Sequence, residues 1–439
     1  MRTLLALLIC SAAACGSGSR PHGDFDAQPP KEACVGIECL IVDCSHTGSG
    51  NPTSISGTVY APNGTLALYG ATVYVPRLDP GPLPAGPQCD RCDPSGELPG
   101  GAIARTTSDE AGHFSLSNVP AGTDIPLVIQ IGKWRRKALL PMVTQCTDNP
   151  QPANLTSLPK NHTEGDLPKI AIASAGCDAL ECLVRRLGVS DYEFTSDSGS
   201  GAVHIYNDGG FTTIGSSNLT AATALWADPN KLKNYDIVMN SCECSQNAST
   251  KPQASMDNMK AYADIGGRLF NSHYGNVWIA GDLTAPTHAP AVWKDIATWV
   301  DNYPTASSDM IDQASNPKGM SFAQWMNNVG GSTTIGQVAI DSSSFRQTVN
   351  TLDPAKAERW IYWDTGSAQY PQNFQFTTPN EAAQNARCGK VVFSDMHVAG
   401  DSFASGTFPT GCSTAPLSPQ EKALAFMFFD IASCVQVIQ

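Results

Sequence analysis

Apolar and polar positions alternate with a period of two through Ile55-Ser56-Gly57-Thr58-Val59-Tyr60. The pattern returns in Ala71-Thr72-Val73-Tyr74-Val75, in His113-Phe114-Ser115-Leu116 and in Ile125–Ile131. Period two sends successive side chains to opposite faces, so these runs predict strands with one face buried. Turn chemistry separates them. Ala61-Pro62-Asn63-Gly64 follows the first strand, and Asp109 with Gly112 makes a tight turn that leaves Phe114 and Leu116 pointing into a core. An irregular Pro/Gly-rich insertion, residues 76–101, carries Cys89 and Cys92. The expectation is a β-sandwich over residues 54–146, then a polar, proline-bearing linker at 147–167.

After the linker the period changes. Short apolar runs at Lys169–Ala173, Val203–Tyr206, Tyr235–Asn240, Arg268–Ser272 and Lys390–Ser394 alternate with helical patterns. Asp178 and Glu181 read as a capping box for a helix with Leu180, Leu183, Val184 and Leu187 on one face. Further helices are expected over Met256–Ile265 and over 321–329, the latter with Phe322, Trp325, Met326 and Val329 on one face. Ser418-Pro419-Gln420-Glu421 starts a last helix, with proline at the first helical position and Leu424, Met427, Phe428 and Ile431 packing inward. Such alternation predicts an α/β domain over 168–439 with a parallel sheet covered on both faces.

The chain opens with Arg2, the apolar run Leu4–Ile9 and the small residues Ala12-Ala13-Ala14 before Cys15-Gly16. This is the layout of a secretory signal over residues 1–14, too short for a permanent span. A cysteine directly after small residues resembles the lipobox of bacterial lipoproteins. That resemblance implies cleavage before Cys15, lipidation of Cys15, and a place in the bacterial cell envelope, lipid-anchored to the outer membrane or cell surface. Residues 15–53 then read as a tether leading into a cysteine-rich segment with Cys34, Cys39 and Cys44.

Composition bears on compartment and partners. The chain has 15 cysteines, which suits an oxidising compartment. Spacing favours Cys177–Cys182 and Cys388–Cys412 as local bridges, though connectivity does not follow from spacing. Thirteen cysteines after Cys15 leave one thiol free or paired in trans. Cys242 and Cys244 are too close to bridge each other and should each pair elsewhere. Cys89-x-x-Cys92 lacks the second ligand pair of a zinc ribbon, and no cofactor is implied. A formal charge of −13 argues against nucleic acid as partner. Lys133-Trp134-Arg135-Arg136-Lys137 is the basic exception. It reads either as a patch for anionic headgroups or glycans, or as a charged strand edge that is solvated or docked on the acidic second domain.

Two stretches resemble known families. Ser-Gly-Thr-Val at 56–59, then Asp-x-x-Gly-x-Phe-x-Leu-x-x-Val-Pro-Ala-Gly at 109–122, resembles carboxypeptidase-regulatory-like domains. The resemblance implies a transthyretin-like (Ig-like) β-sandwich used for binding or spacing rather than catalysis. His-Glu-x-x-His and Gly-x-Ser-x-Gly are both absent. The run from Ala261 through Gly266-Gly267 to Asn271-Ser272-His273-Tyr274-Gly275 resembles the helix–strand–elbow unit of class I glutamine amidotransferase-like domains. That resemblance implies a flavodoxin-like α/β domain. His273 stands where those domains carry the nucleophilic cysteine, so glutaminase activity is not expected. The ThuA-like branch also places a histidine there.

Polar groups follow several apolar strands, and ligands bind at such carboxyl ends in open α/β sheets. His273, His397, Asp395 and Glu243 are therefore the candidate catalytic residues, placed on one rim. They admit a hydrolytic or metal-assisted site, the metal unspecified, because two histidines and carboxylates are good divalent-metal ligands. They equally admit polar residues that cap strand ends. The function expected is a cell-surface binding or interaction protein with a degenerate amidotransferase-like domain, partnered by a glycan or envelope protein. The rivals are a hydrolase acting on a glycan or peptide at that rim, and a structural envelope component.

Overall fold

The computed structural model describes residues 34–46, 50–92, 96–398 and 405–435; the expected signal segment, residues 1–14, and Cys15 lie outside them. The protein is rich in β-sheet, with helices packed against the largest sheet.

The alternating runs form two small sheets. One is antiparallel, in the order Ala102–Thr107, Thr72–Pro76, Ile125–Ile131, Trp134–Leu140. The other sets Ser54–Thr58 between His113–Ser117 and Asp148–Pro150. Ile55, Val73, Val75, Phe114, Leu116, Leu127 and Ile129 are buried in one sandwich-like core. The tight turn forms as expected: Asp109 Oδ1 accepts from the backbone N–H of Ala111 and His113 at 2.9 and 2.8 Å. Gly112 has φ +79, and a Cβ there would meet Val59 O at 3.0 Å, so both conformation and space call for glycine.

Residues 147–167 pack onto this unit. Asp148–Pro150 adds a strand parallel to Ser54–Thr58, and Thr156 and Leu158 are buried. The basic run is docked and not a solvated edge. Lys133 pairs with Asp236 at 2.5 Å, Arg135 with Asp166 at 2.8 Å and Arg136 with Glu164 at 2.6 Å, while Trp134 and Arg135 are buried.

The large sheet has ten strands and is mixed. Its parallel strands are numbered here β1 (Ile170–Ser174), β2 (Val203–Asn207), β3 (Ile237–Asn240), β4 (Arg268–Ser272) and β5 (Gly389–Ser394). Their spatial order is β2-β1-β3-β4-β5, with a short edge strand, Phe194–Thr195, parallel to β2. Beyond β5 the strands Gln369–Thr378, Glu358–Asp364, Ser308–Ile311 and Gln337–Ala339 run antiparallel, a wing the sequence pattern did not predict.

Each parallel strand divides its residues between two cores, as a period of two demands. Ile170, Ile172, Met239, Phe270 and Val392 face the helix Pro419–Ala432 in a core that runs on into the sandwich. Ala171, Ala173, Val238, Leu269, Val391 and Phe393 face the helix Gln253–Asp264. Trp134 meets Phe428 and Phe429 at ring separations of 5.5 and 5.6 Å, so sandwich and sheet share one apolar interior. The Ser418–Glu421 capping box is present, with Pro419 in the first turn.

The capping box expected at Asp178 is not. Ala179 is the N-cap of helix Leu180–Arg186. Asp178 instead accepts from Ser272 Oγ at 2.5 Å and from Val398 N at 2.8 Å, tying two strand ends together. Glu181 accepts from Ser174 Oγ at 2.7 Å.

Among the described residues six disulfides are formed: Cys34–Cys39, Cys44–Cys146, Cys89–Cys388, Cys92–Cys434, Cys177–Cys244 and Cys182–Cys412. Both expected local bridges are therefore wrong. Cys388 precedes β5 and Cys412 lies past its other end, and a six-residue strand separates such positions by about 20 Å. Cys177 leaves β1 toward the loop after β3, while Cys182 faces the interior on its helix. Two bridges, from Cys89 and Cys92, tie the sandwich insertion to the large sheet's unit. So many disulfides mark an extracellular or envelope protein. Among the described residues no helix is long and apolar enough to cross a membrane.

Candidate functional site

Three neighbouring parallel strands deliver the site. β3 ends at Asn240 and is followed by Ser241 and Cys242; β4 ends at Ser272 and is followed by His273; β5 ends at Ser394 and is followed by Asp395, Met396 and His397. β4 turns abruptly into a 3-10 turn, His273–Asn276, which leads into the helical turn Val277–Ala280. His273 takes φ +37 at that corner. Left-handed backbone at a residue other than glycine costs of order 1–3 kcal/mol and survives only where surroundings impose it. Gly275 lets the turn press against β3: a Cβ there would lie 3.3 Å from Asn240 O.

Cys242, His273 and His397 converge. Cys242 Sγ is 3.3 Å from His273 Nδ1. The His273 and His397 rings meet edge to face with centroids 5.0 Å apart. One ligand atom from each of the three lies within 4.8 Å of the others. Exposure is 1 % for Cys242, 1 % for His273 and 5 % for His397. His273 Nε2 and His397 Nδ1 are buried with no hydrogen-bond partner among the described residues. Burial pushes the Cys242 thiol up to about 12. Burial, then the nearby Arg346 guanidinium, pulls His397 down to about 4, and burial with the neighbouring His397 pulls His273 well below its ordinary value. These directions oppose the thiolate–imidazolium pair of a nucleophilic cysteine, which needs a lowered thiol pKa.

The supports are specific. The Gln420 side-chain amide donates to His397 O at 2.6 Å, and Cys177 N donates to Cys242 O at 3.0 Å. The Tyr274 ring lies 4.1 Å from that of His273. Tyr274 Oη donates to Asp301 at 3.3 Å and also bonds Tyr303, over whose ring Arg346 sits at 5.1 Å.

The carboxylates fall elsewhere. Asp395 accepts from Thr348 N at 2.9 Å and Thr348 Oγ1 at 2.5 Å, and burial pushes it up to about 7. It is held by the strand Gln347–Leu352 and not by the histidines. Its charge acts on Asp309, whose two carboxyl oxygens have no partner among the described residues and which burial pushes up to about 8. Glu243 points away from both histidines. It pairs with the buried Lys251 at 2.5 Å, accepts from Asn247 Nδ2 at 3.0 Å and shares a hydrogen bond with Asp208. Lys251 itself lies 4.9 Å over Trp226 and 5.8 Å over Trp278. The sequence thus placed His273 and His397 together, set Glu243 with them wrongly, and missed Cys242. The signal for Cys242 was the odd cysteine count, since it is the free thiol among the described residues.

No family model matches the chain, and no curated protein matches it. Among solved structures it is similar to two chains from type II cohesin–X-dockerin complexes of Acetivibrio cellulolyticus, one an N-terminal and one a C-terminal interface mutant. Identity is 15 % and 16 %, coverage is 34 % of this chain in both cases, and coverage of the other chains is 88 % and 78 %. The TM-scores are 0.17 and 0.16, too low to bear on the fold or the function.

Proposed function

We propose that this is an exported, lipid-anchored protein of the bacterial cell envelope whose amidotransferase-like α/β domain, of the ThuA-like kind, carries a hydrolase-type site around His273. The strand order β2-β1-β3-β4-β5 is the flavodoxin-like order, and it supports the domain assignment. The sandwich at residues 54–146 serves as the carboxypeptidase-regulatory-like binding or spacing unit. The observation that carries the enzyme reading is the elbow. A histidine at φ +37 occupies the place of the family's nucleophile and touches Cys242. Strain and clustering of this kind at the carboxyl ends of parallel strands mark reactive sites. The substrate class is a glycan or a peptide of the envelope.

The rival is a surface binding protein with a spent site, and the burial of all three side chains favours it. The two separate on turnover. The purified chain is assayed on chromogenic glycosides, peptide amides and free glutamine, beside His273→Ala. Hydrolysis of one glycoside or peptide class, lost in the variant, with no ammonia from glutamine, supports the enzyme. Turnover unchanged in His273→Ala, or no turnover at all, overturns it. Anchoring is tested separately: Cys15→Ser should move the protein out of the membrane fraction, and identical fractionation with no acyl label in the parent overturns the anchor.

A further inference from the structure

We infer that Cys242, His273 and His397 are the protein ligands of a single divalent transition-metal ion, zinc by the chemistry of the donors. Three lines carry this, and none is the resemblance that motivated the histidines.

The first is geometry. In a tetrahedral site with Zn–S of about 2.3 Å and Zn–N of about 2.0 Å, sulfur and nitrogen ligands sit about 3.6 Å apart. Cys242 Sγ and His273 Nδ1 are 3.3 Å apart, and all three donors fall within 4.8 Å. Three adjacent strands of a packed sheet hold them, so little ordering is left for an ion to impose.

The second is satisfaction. A buried ring nitrogen left without a partner keeps its desolvation cost unrepaid. Among the described residues His397 Nδ1 has none, while His273 Nδ1 meets the Cys242 thiol. An ion bound through these two nitrogens and the sulfur would take up the unpaired donor in the same step. Binding is balanced by the loss of one proton: the Cys242 thiol releases H⁺ to solvent, the sulfur lone pair forms the metal bond, and both imidazoles bind neutral.

The third is the thiol itself. Twelve cysteines of the described residues are oxidised in six bridges, and Cys242 alone is reduced. It lies two residues from the bridged Cys244 yet points to the histidines. Thiolate with imidazole suits zinc over magnesium or calcium, which prefer oxygen. Other ligands of a tetrahedral ion would be water or substrate. In supplying a Lewis acid to the rim, the inference rests on the hydrolase reading above, but its test reads metal.

The experiment strips the folded, disulfide-intact chain with a chelator, confirms the fold by circular dichroism, and titrates it with Co²⁺ and then Zn²⁺. The expected result is one equivalent of Co²⁺ with a thiolate-to-cobalt charge-transfer band, displaced by Zn²⁺. Cys242→Ser should abolish the band, and His397→Gln should weaken binding at least about 100-fold, as loss of one of three protein ligands does. Should a variant misfold, the parent decides alone. Zn²⁺ should slow alkylation of Cys242 in partial denaturant by at least tenfold, read by mass spectrometry. No charge-transfer band, a band that persists in folded Cys242→Ser, or alkylation indifferent to Zn²⁺ overturns the site. Metal binding without hydrolysis sinks only the hydrolase reading. Hydrolysis that is indifferent to chelation, with no metal bound, sinks only this inference.

Discussion

β4 and β5 carry buried polar groups at both ends, and the two ends are treated oppositely. At the amino ends the buried charges are hydrogen-bonded. Lys390 donates to Asp430 Oδ2 at 3.0 Å, to Asp430 O at 2.8 Å and to Ser433 Oγ at 3.3 Å, while Lys318 takes the other carboxyl oxygen at 2.5 Å. Arg268 donates to Gly266 O at 3.0 Å, Cys388 O at 2.7 Å and Ser433 O at 3.4 Å. At the carboxyl ends His273, His397 and, in the wing, Asp309 keep buried atoms without partners among the described residues. The same strands bury both sets, so burial alone explains neither. Polar groups that serve only the fold are satisfied by the fold. Those left unsatisfied at the carboxyl ends await a partner from outside the described residues.

The largest effect expected breaks the matched end. Asp430→Ala leaves the buried Lys390 and the half-buried Lys318 uncompensated and should cost about 3–5 kcal/mol in urea unfolding with disulfides intact. Burial opposes ionisation of Asp430, but the two ammonium groups win and hold its carboxyl well below the usual carboxylate range. Its stabilisation is thus present above the unfolded carboxylate value and lost as pH falls below it. A loss under about 1 kcal/mol would end the claim that this cluster holds the fold. The Cys89–Cys388 bridge staples the same end. Its removal by Cys89→Ser with Cys388→Ser should cost about 2–4 kcal/mol. It should leave metal affinity at the other end unchanged, and coupled losses would mean the two ends are one unit.

Much of this contrast could be read in the chain, and what escaped did so for local reasons. The runs in β1, β3, β4 and β5 are apolar enough to announce buried strands, and a histidine after such a run stands out. The antiparallel wing escaped because Gln369–Thr378 buries Gln372, Asn373, Gln375 and Thr377, and its sequence reads as polar. Cys242 escaped because a cysteine in an oxidising compartment is expected to be bridged, and nothing in the spacing marks it as the free one. Glu243 was misplaced for a geometric reason. Adjacent residues leave an extended chain in opposite directions, so Cys242 turns to the histidines and Glu243 to Lys251. The bridges were out of reach because five of the six join positions at least 67 residues apart.

A subtler effect probes the unmatched side through pH. Burial first, and then the neighbouring Asp395, push Asp309 up to about 8. The folded protein therefore keeps a proton there that the unfolded chain loses above about pH 4. Stability should fall as pH rises across that window, by at most about 1.4 kcal/mol per pH unit from this group. Asp309→Asn removes the titration and should flatten the slope, with the variant gaining on the parent between pH 5 and pH 7. Thermal melts at the two values check it, and an unchanged slope would mean Asp309 is already solvated or paired.

The smallest effect sets one neutral hydrogen bond against one unmet donor. Trp325 Nε1 donates to Ala67 O at 2.8 Å across the seam between sandwich and sheet, and its ring packs 5.2 Å from Phe426. Trp325→Phe keeps most of that packing and strands a carbonyl, so it should cost about 1 kcal/mol. Gln372 sits in the wing, and its backbone carbonyl accepts from Asp395 N at 2.9 Å, but its Nε2 has no partner among the described residues. Gln372→Met keeps length and backbone while deleting the unmet donor, so it should be neutral or stabilising by up to about 1 kcal/mol. Paired unfolding curves for the two variants test the contrast at its finest grain. If Gln372→Met loses as much as Trp325→Phe, the amide is bonded in solution and the carboxyl end is less incomplete than the buried atoms imply.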